Sequence, residues 1–408
     1  MSILAVNAGS STLKFALYPP QADGHVGLAL ISGSIEGLEQ GGRPRLSYRT
    51  RLAHTTQPSA LGPSQFHPIA STWDGDPFTP ALAALQGLLH EQLDGQDLQA
   101  IAHRVVHGGV WYRQAVLVDE LVMSRLETLY ALAPLHQPHN LEGIRSLQRV
   151  YAHVPQIACF DTAFHADLPE PEHLFALPQH LSAQGIRRYG FHGLSYQYLQ
   201  SQLRRLSTRA EDRVVMAHLG NGASLCAMHQ GRSRATTMGF SALEGLMMGT
   251  RSGAIDPGVL LHLLDQGMSP RELGKLLYKE CGLLGVSGLA ADMRTLRASQ
   301  LPDAKRAIDL FTHRVVRETG AMTACLQGLD LLAFTGGIGE HDALLRQEVC
   351  ERLGYLGVAL DIQKNQRADG SAAARLDAPG SRVEVWVVPT DEGRMAAQSA
   401  LDILRSLD

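Results

Sequence analysis

Cysteine is scarce and poorly placed for cross-linking. The chain has five, Cys159, Cys226, Cys281, Cys325 and Cys350. The number is odd and no C-x-x-C spacing occurs, which argues against a disulfide framework and a thiolate zinc site. Most of the five sit among apolar residues, so they are expected as reduced core residues of a cytoplasmic protein. An excess of basic charge is also missing: 36 Lys and Arg stand against 40 Asp and Glu, a formal net charge of −4. That argues against a nucleic-acid binder with its basic stripe. An anionic ligand would instead be met by a local arginine cluster. Polar residues interrupt every apolar run before membrane-spanning length. The opening Met1-Ser2-Ile3-Leu4-Ala5-Val6 has neither a basic region nor a cleavage site, so no signal peptide and no membrane partner are expected. The G-x-x-x-x-G-K-[ST] loop and the H-R-D with D-F-G set are both absent, which excludes a P-loop enzyme and a protein kinase.

What remains is a chain of 408 residues, 45% hydrophobic, long enough for two or three domains of roughly 150 residues each. Its pattern is α/β. An apolar strand at 3–6 meets the turn Asn7-Ala8-Gly9-Ser10-Ser11-Thr12, and alternation at Leu13, Phe15 and Leu17 marks a second strand. Residues 19–80 hold many Gly and Pro and predict short antiparallel strands with loops. Helical spacing follows over 80–93, and a buried strand over 100–106. Asn140 is placed as an N-cap ahead of Leu141, Ile144, Leu147 and Tyr151, and 156–160 is a strand ending at Asp161. The plan then recurs: strand 214–219, small-residue turn 220–224, strand 225–228 closed by Gln230-Gly231, helix 304–326, strand 331–334, a glycine turn, helix 343–353 and strand 383–388. The repeated hairpin suggests two copies of one α/β unit. The break is placed at 155, giving a first domain of 1–155 completed by the C-terminal helix 394–408, and a second of 156–393.

Several turns carry chemistry-bearing residues. In Asn7 to Lys14, glycine lets amides approach an oxyanion, hydroxyls donate hydrogen bonds and Lys14 adds a charge; an ordinary hairpin turn is the simpler account of that composition. Thr335-Gly336-Gly337-Ile338-Gly339-Glu340-His341 lies between a strand and a helix, where free amides favour a nucleotide phosphate. Asp391 and Glu392 at a helix start suit either a hydrated Mg²⁺ or the helix dipole. Arg104, in His103-Arg104-Val105-Val106-His107-Gly108-Gly109, and Arg251, in Thr250-Arg251-Ser252-Gly253, sit among small or apolar residues and need anionic partners, whether a ligand or a salt bridge. Asp161 and His192 add a carboxylate and an imidazole. His136 and His139 flank Pro138, lack a third ligand and are taken as loop structure.

Together these stretches resemble the acetate kinases, the acetokinase family. The matching segments are 7–15, 103–109, 133–136, 160–165, 187–193, 218–222, 238–257, 292–294, 335–340 and 390–392, in family order over nearly the whole chain. The block Met248-Gly249-Thr250-Arg251-Ser252-Gly253 with Asp256-Pro257 is the most specific. The resemblance implies the acetate and sugar kinase/actin fold, with two duplicated ribonuclease-H-like domains, an interdomain active-site cleft, and a homodimer formed through the nucleotide-binding second domain. It implies reversible transfer of the ATP γ-phosphoryl group to acetate, giving acetyl phosphate and ADP. Asn7 and Glu392 would be the Mg²⁺ site, with Mn²⁺ as an alternative. Arg104 would hold the acid, with Val106, Phe191 and Ala242 around its acyl part. His192 and Arg251 would join Arg104 in stabilising the transition state, and Asp161 matches the family's acid/base. ATP would meet Lys14, Ser10, Thr12, His218, Leu219, Gly220, Asn221, Gly222, Asp292, Met293, Arg294, Gly337, Ile338, Gly339, Glu340 and His341, with His136 near the site.

The chain departs from the family at Ala242 (usually Pro), Leu194 and Tyr196 (usually Thr and His), His341 (usually Asn) and Gly393 (usually Glu). Ala242 keeps a propionate or butyrate kinase open as an alternative. A non-metabolic actin-like ATPase is the alternative from another class, and it has no use for paired Arg104 and Arg251.

Overall fold

A computed structural model describes residues 2–39, 41–51, 61–67, 69, 77–93 and 97–407. Residues 52–60 and 70–76, within the segment expected to form short strands and loops, lie outside the described residues. The chain forms two compact units: residues 1–163 with 391–408, and residues 164–390.

In unit 1, β1 (Ser2–Ala8) and β2 (Thr12–Tyr18) form the antiparallel hairpin that the alternation predicts. β3 (Ile31–Glu36), β4 (Arg45–Thr50) and β5 (Gln65–His67) extend it antiparallel. On the other side β1 pairs in parallel with β6 (Leu98–Val105). Beyond β6 come β7 (Val116–Leu117) and β8 (Gln156–Phe160), in the sheet order β5-β4-β3-β2-β1-β6-β8-β7. The helix Phe78–Leu93 packs Leu85, Leu88 and Leu89 into the same core as Leu13, Phe15 and Ile101. β8 pairs in parallel with β6, so it belongs to unit 1. The division therefore falls after Ala163, not at the expected 155.

Unit 2 repeats the plan. β9 (Val214–Leu219), β10 (Ala223–His229) and β11 (Arg232–Thr236) run antiparallel. β12 (Leu331–Thr335) is parallel to β9, then come β13 (Ala374–Arg375) and β14 (Glu384–Val387), in the order β11-β10-β9-β12-β14-β13. The strand order β3-β2-β1-β6-β8 in unit 1 matches β11-β10-β9-β12-β14 in unit 2. Both units are thus the same mixed α/β design, with the hairpin's first strand at the sheet centre. Gln230 and Gly231 both take positive φ, as a two-residue turn between β10 and β11 requires.

Four local expectations need correction. The helix expected to begin after Asn140 spans Gln137–Val150, with His136 as its N-cap and Pro138 in its first turn. Proline is tolerated there because its missing N–H has no intrahelical partner. His139 is therefore helical and His136 is a cap; neither lies in a loop. Asn140 does not cap: its buried carboxamide accepts from Val106 N at 2.9 Å and donates to Ala8 O at 2.7 Å, bridging the ends of β6 and β1. The glycine turn after β12 is a short helix, Gly336–His341. The last helix, expected from 394, spans Glu392–Leu407, because the Asp391 carboxylate accepts from Arg394 N at 2.9 Å and from Tyr18 Oη at 2.7 Å.

Candidate active site

Each unit carries its own cluster of the residues singled out above. In unit 1 the centre is Arg104, near the end of β6. Its Nε donates to Asp161 Oδ1 at 3.2 Å, its Nη2 to Asp161 Oδ2, and its Nη1 to Asn7 Oδ1 at 3.2 Å. Glu392 Oε2 lies 3.7 Å from Nε. Asp161 is buried, and both its oxygens engage Arg104, so this carboxylate orients the guanidinium. The two neighbouring carboxylates raise the Arg104 pKa against an opposing desolvation by burial, so the charge is permanent.

Asn7, Lys14, Arg104 and Glu392 line one cavity of about 240 Å³, with Phe15, Tyr18 and Gly393 in its wall. Lys14 is on β2 and faces outward. Ser10 is exposed in the turn and Thr12, the first residue of β2, is half-buried; Gly9 N donates to Thr12 O at 2.7 Å. Val106 is buried just beyond β6, and Asn140 fixes its amide. Asn140 thereby ties the Asn7 turn to the Arg104 strand, a function that spacing alone did not reveal.

In unit 2 the cluster is His192, His218, Arg251 and the turn at Gly220, Asn221 and Gly222. His192 caps the helix Gly193–Leu206 in a left-handed conformation, φ 60° and ψ 23°. Such backbone in a non-glycine residue is held by its surroundings. Its ring stacks on His218 with centroids 4.1 Å apart. A side-chain carbon on Gly222 would lie 3.3 Å from His192 Nε2 and 3.8 Å from Arg251 Nη1. These two nitrogens therefore flank the space that glycine leaves.

Arg251 Nη1 donates to Ala242 O at 3.0 Å, which gives Ala242 a backbone role. The flanking chain is clamped by a π-helical turn, Leu276–Glu280. Thr250 Oγ1 donates to Tyr278 O at 2.8 Å, and Ser252 N to Leu277 O at 3.2 Å. Gly249 N donates to Asn221 O at 3.0 Å and pins this block to the β9–β10 turn. Phe191 is buried beside His192.

Gly336 opens its short helix at φ 78°, and a side-chain carbon there would come within 2.8 Å of Leu219 O. Close approach thus joins the 218–222 and 337–341 segments. Of the remaining candidates, Glu340 is turned inward: its Oε1 accepts from Gly336 N at 2.8 Å and Thr390 N at 3.0 Å. Asp292 caps the helix Met293–Ala298 through Thr295 N at 3.0 Å, Met293 is buried and Arg294 is exposed. His341 Nδ1 lies 2.7 Å from Asp369 O. Ser195, Ser224 and Thr390 were missed by sequence reasoning. Ser195 Oγ lies 2.8 Å from His218 Nδ1 and 2.9 Å from Thr390 Oγ1, and Ser224 Oγ lies 2.9 Å from His192 Nδ1. For Ser195 and Ser224 the signal was a hydroxyl on a fully buried face, and for the part-buried Thr390 it was membership of the segment 390–392.

The comparisons agree with one another. Residues 2–398 match the model of the acetokinase family. An acetate kinase of Rhodopseudomonas palustris is 47% identical over 97% of this chain and 96% of that protein. The crystal structure of a propionate kinase from Francisella tularensis aligns with TM-score 0.86 and 34% identity, covering 98% of both chains. That of Porphyromonas gingivalis acetate kinase aligns with TM-score 0.86 and 32% identity, covering 99% of both. With its ordered motifs, duplicated sheet plan and two charged clusters, this chain belongs to the acetokinase family.

Proposed function

We propose that this chain moves the γ-phosphoryl group of ATP onto the carboxylate of acetate, reversibly, giving acetyl phosphate and ADP. The observation that carries the reading is Arg104, a permanently charged guanidinium whose Nη1 donates to the neutral carboxamide of Asn7 while Asp161 fixes the other edge. An incoming carboxylate displaces a neutral acceptor readily and makes a stronger, charge-assisted bond. Acetate has a pKa near that of Glu, about 4.3, and is already ionised at neutral pH. It needs no general base, so the task of Asp161 is to orient Arg104.

The chemical obstacle is repulsion between two anions, and catalysis is positioning plus positive charge. Arg251 and the Nε2 edge of His192 supply that charge and hydrogen bonding around Gly222. Lys14 and Ser10 would meet phosphate, and the segments 218–222, 292–294 and 337–341 would bind ATP. Mg²⁺ fits Asn7 and Glu392, because a hard cation takes oxygen ligands and keeps several waters. Both side chains border the same cavity. Among the described residues no cluster of three His, Cys, Asp or Glu would hold a metal by protein alone. When bound, the ion neutralises charge on the phosphates.

Propionate is the second reading, favoured by Ala242 and by the likeness to a propionate kinase. One methylene in an apolar pocket is worth about 1–3 kcal/mol, so both acids are expected to react. A homodimer is supported by the helix Pro257–Asp265, which buries none of its residues and exposes Val259, Leu261 and Leu264; light scattering on the purified protein checks it. Cytoplasmic placement is supported by the five free cysteines, and no described helix is long and apolar enough to cross a membrane.

The deciding experiment traps acyl phosphate with hydroxylamine from ATP, Mg²⁺ and a panel of short acids. Acetate should give the hydroxamate, and Arg104→Ala should raise the KM for the acid more than that for ATP. No hydroxamate with any acid would overturn the reading.

A further inference from the structure

We propose that Tyr196 is a positioning residue for His192, acting through Ser224 to keep the imidazole proton on Nε2. The inference rests on the proposed phosphoryl transfer for its purpose, though not for its geometry. Tyr196 and Ser224 are both fully buried. Tyr196 Oη lies 2.5 Å from Ser224 Oγ, and Ser224 Oγ lies 2.9 Å from His192 Nδ1. The three groups form a short line of hydrogen bonds, in which each hydroxyl has one proton to give.

The direction of that line follows from proton accounting. Burial pushes the Tyr196 phenol well above its usual pKa, so it keeps its proton. The side-chain acceptor within reach of that proton is Ser224 Oγ. Ser224, accepting from the phenol, turns its own proton to His192 Nδ1. A nitrogen that accepts a hydrogen bond carries no proton, so the neutral ring carries it on Nε2. The reverse order would run from Nδ1–H through Ser224 to Tyr196 and leave the phenolic proton in a buried place without that acceptor, which is the costly arrangement.

The consequence lies at the other edge of the ring. Nε2 faces the space over Gly222, beside Arg251 Nη1. As a donor there it favours phosphate oxygens; as a bare lone pair it would repel them. Stacking on His218 and the left-handed backbone of His192 hold the ring's place. The hydroxyl pair sets which nitrogen is protonated. Every group in this line belongs to unit 2.

The test is nitrogen NMR of the full-length protein, selectively ¹⁵N-labelled in its histidine rings. His192 is assigned by the signal lost in His192→Gln. In the unliganded wild type, His192 should show a protonated Nε2 and an unprotonated Nδ1. Tyr196→Phe, which removes one oxygen atom, should shift the ring toward the Nδ1-protonated form. It should also lower kcat about tenfold, less than the roughly 10²–10³ for deleting a donor outright, with the KM values for ATP and acid changed less than twofold. Ser224→Ala should produce the same spectral change. A wild-type ring protonated at Nδ1 would overturn the proposal, and this measurement needs no variant to fold. An unchanged His192 spectrum in a folded Tyr196→Phe would overturn it too. If the spectra are as expected but wild type forms no acyl phosphate, the functional reading fails and the relay stands.

Discussion

A methyl group placed on Gly222 would enter the space flanked by His192 Nε2 and Arg251 Nη1, at 3.3 and 3.8 Å. The three nearest atoms to it belong to the His192 ring and the Arg251 guanidinium, not to backbone, so the substitution tests that space. Gly222→Ala is expected to lower kcat/KM about 10²-fold, the usual cost of a small misplacement at a reacting centre, with an unchanged melting temperature. Steady-state kinetics and a thermal melt check both halves, and wild-type turnover would show that no reacting group passes there.

Asp161 behaves differently, because its carboxylate is the buried partner of Arg104. Asp161→Asn removes the charge and leaves the guanidinium with Asn7 and the more distant Glu392. Breaking a buried pair costs about 3–5 kcal/mol. The partial exposure of Arg104 places the loss at the lower end, and calorimetry would measure it. The acid's KM should rise with it, since the guanidinium loses its fixed orientation. Normal stability together with a normal acid KM would remove Asp161 from this role.

The short helix Gly336–His341 was legible from sequence only as a glycine turn. Glycine has the poorest helix propensity after proline, and three of these six residues are glycine. What makes the segment helical lies further along the chain. Arg346, fully buried, donates through Nη1 to Gly339 O at 2.9 Å and Glu340 O at 2.7 Å, through Nη2 to Asn365 O at 3.0 Å and Ala368 O at 2.9 Å, and through Nε to Asn365 Oδ1 at 2.8 Å. Carbonyl oxygens, not a carboxylate, satisfy its fork, and the guanidinium in turn caps a helix end that propensity does not support, by donating to the Gly339 and Glu340 carbonyls. Such a cage is invisible to periodicity, because Arg346 occupies an ordinary position in a helical pattern. The same holds for Asn140, whose place beside Leu141, Ile144 and Leu147 suits a cap or a buried bridge equally well. Arg346→Met should therefore strand several buried carbonyls and cost at least about 3 kcal/mol. ATP should bind more weakly while the acid's KM is spared. Arg346→Lys should rescue little, since an ammonium has three donors in place of five. A calorimetric loss below about 1 kcal/mol, the worth of one ordinary hydrogen bond, would show that the cage is dispensable.

Across the whole molecule, the two hairpins β1–β2 and β9–β10 were legible because each is two short apolar runs, buried along nearly their whole length, joined by a local turn of small and polar residues. The parallel pairings β1–β6 and β9–β12 were not, since they join strands separated by long stretches of chain. That is also why the division fell at Ala163: the partner of β8 is chosen by tertiary packing. Three buried histidines follow the same logic and set an acid limit on the fold. His103, His107 and His165 each have a pKa lowered from 6.5 to about 4 by burial. His103 Nε2 lies 2.7 Å from Gln156 Oε1 and His165 Nε2 lies 3.0 Å from Phe191 O, so both rings fit their places as neutral donors. Their folded pKa values lie below the unfolded ones, so between about pH 6.5 and about pH 4 the unfolded chain binds more protons than the native one. The stability they contribute is present above pH 6.5, is lost as pH falls toward 4, and changes little below that. Each site accounts for on the order of 3 kcal/mol over the interval, and total stability is about 5–15 kcal/mol. The melting temperature should therefore fall steeply from pH 6.5 downward. Unfolding at pH 5.5 should take up about three protons through these imidazoles, measurable by calorimetry in buffers of different ionisation enthalpy. An uptake near zero would mean that the three rings are already charged in the native fold, and that burial does not exclude the proton from them.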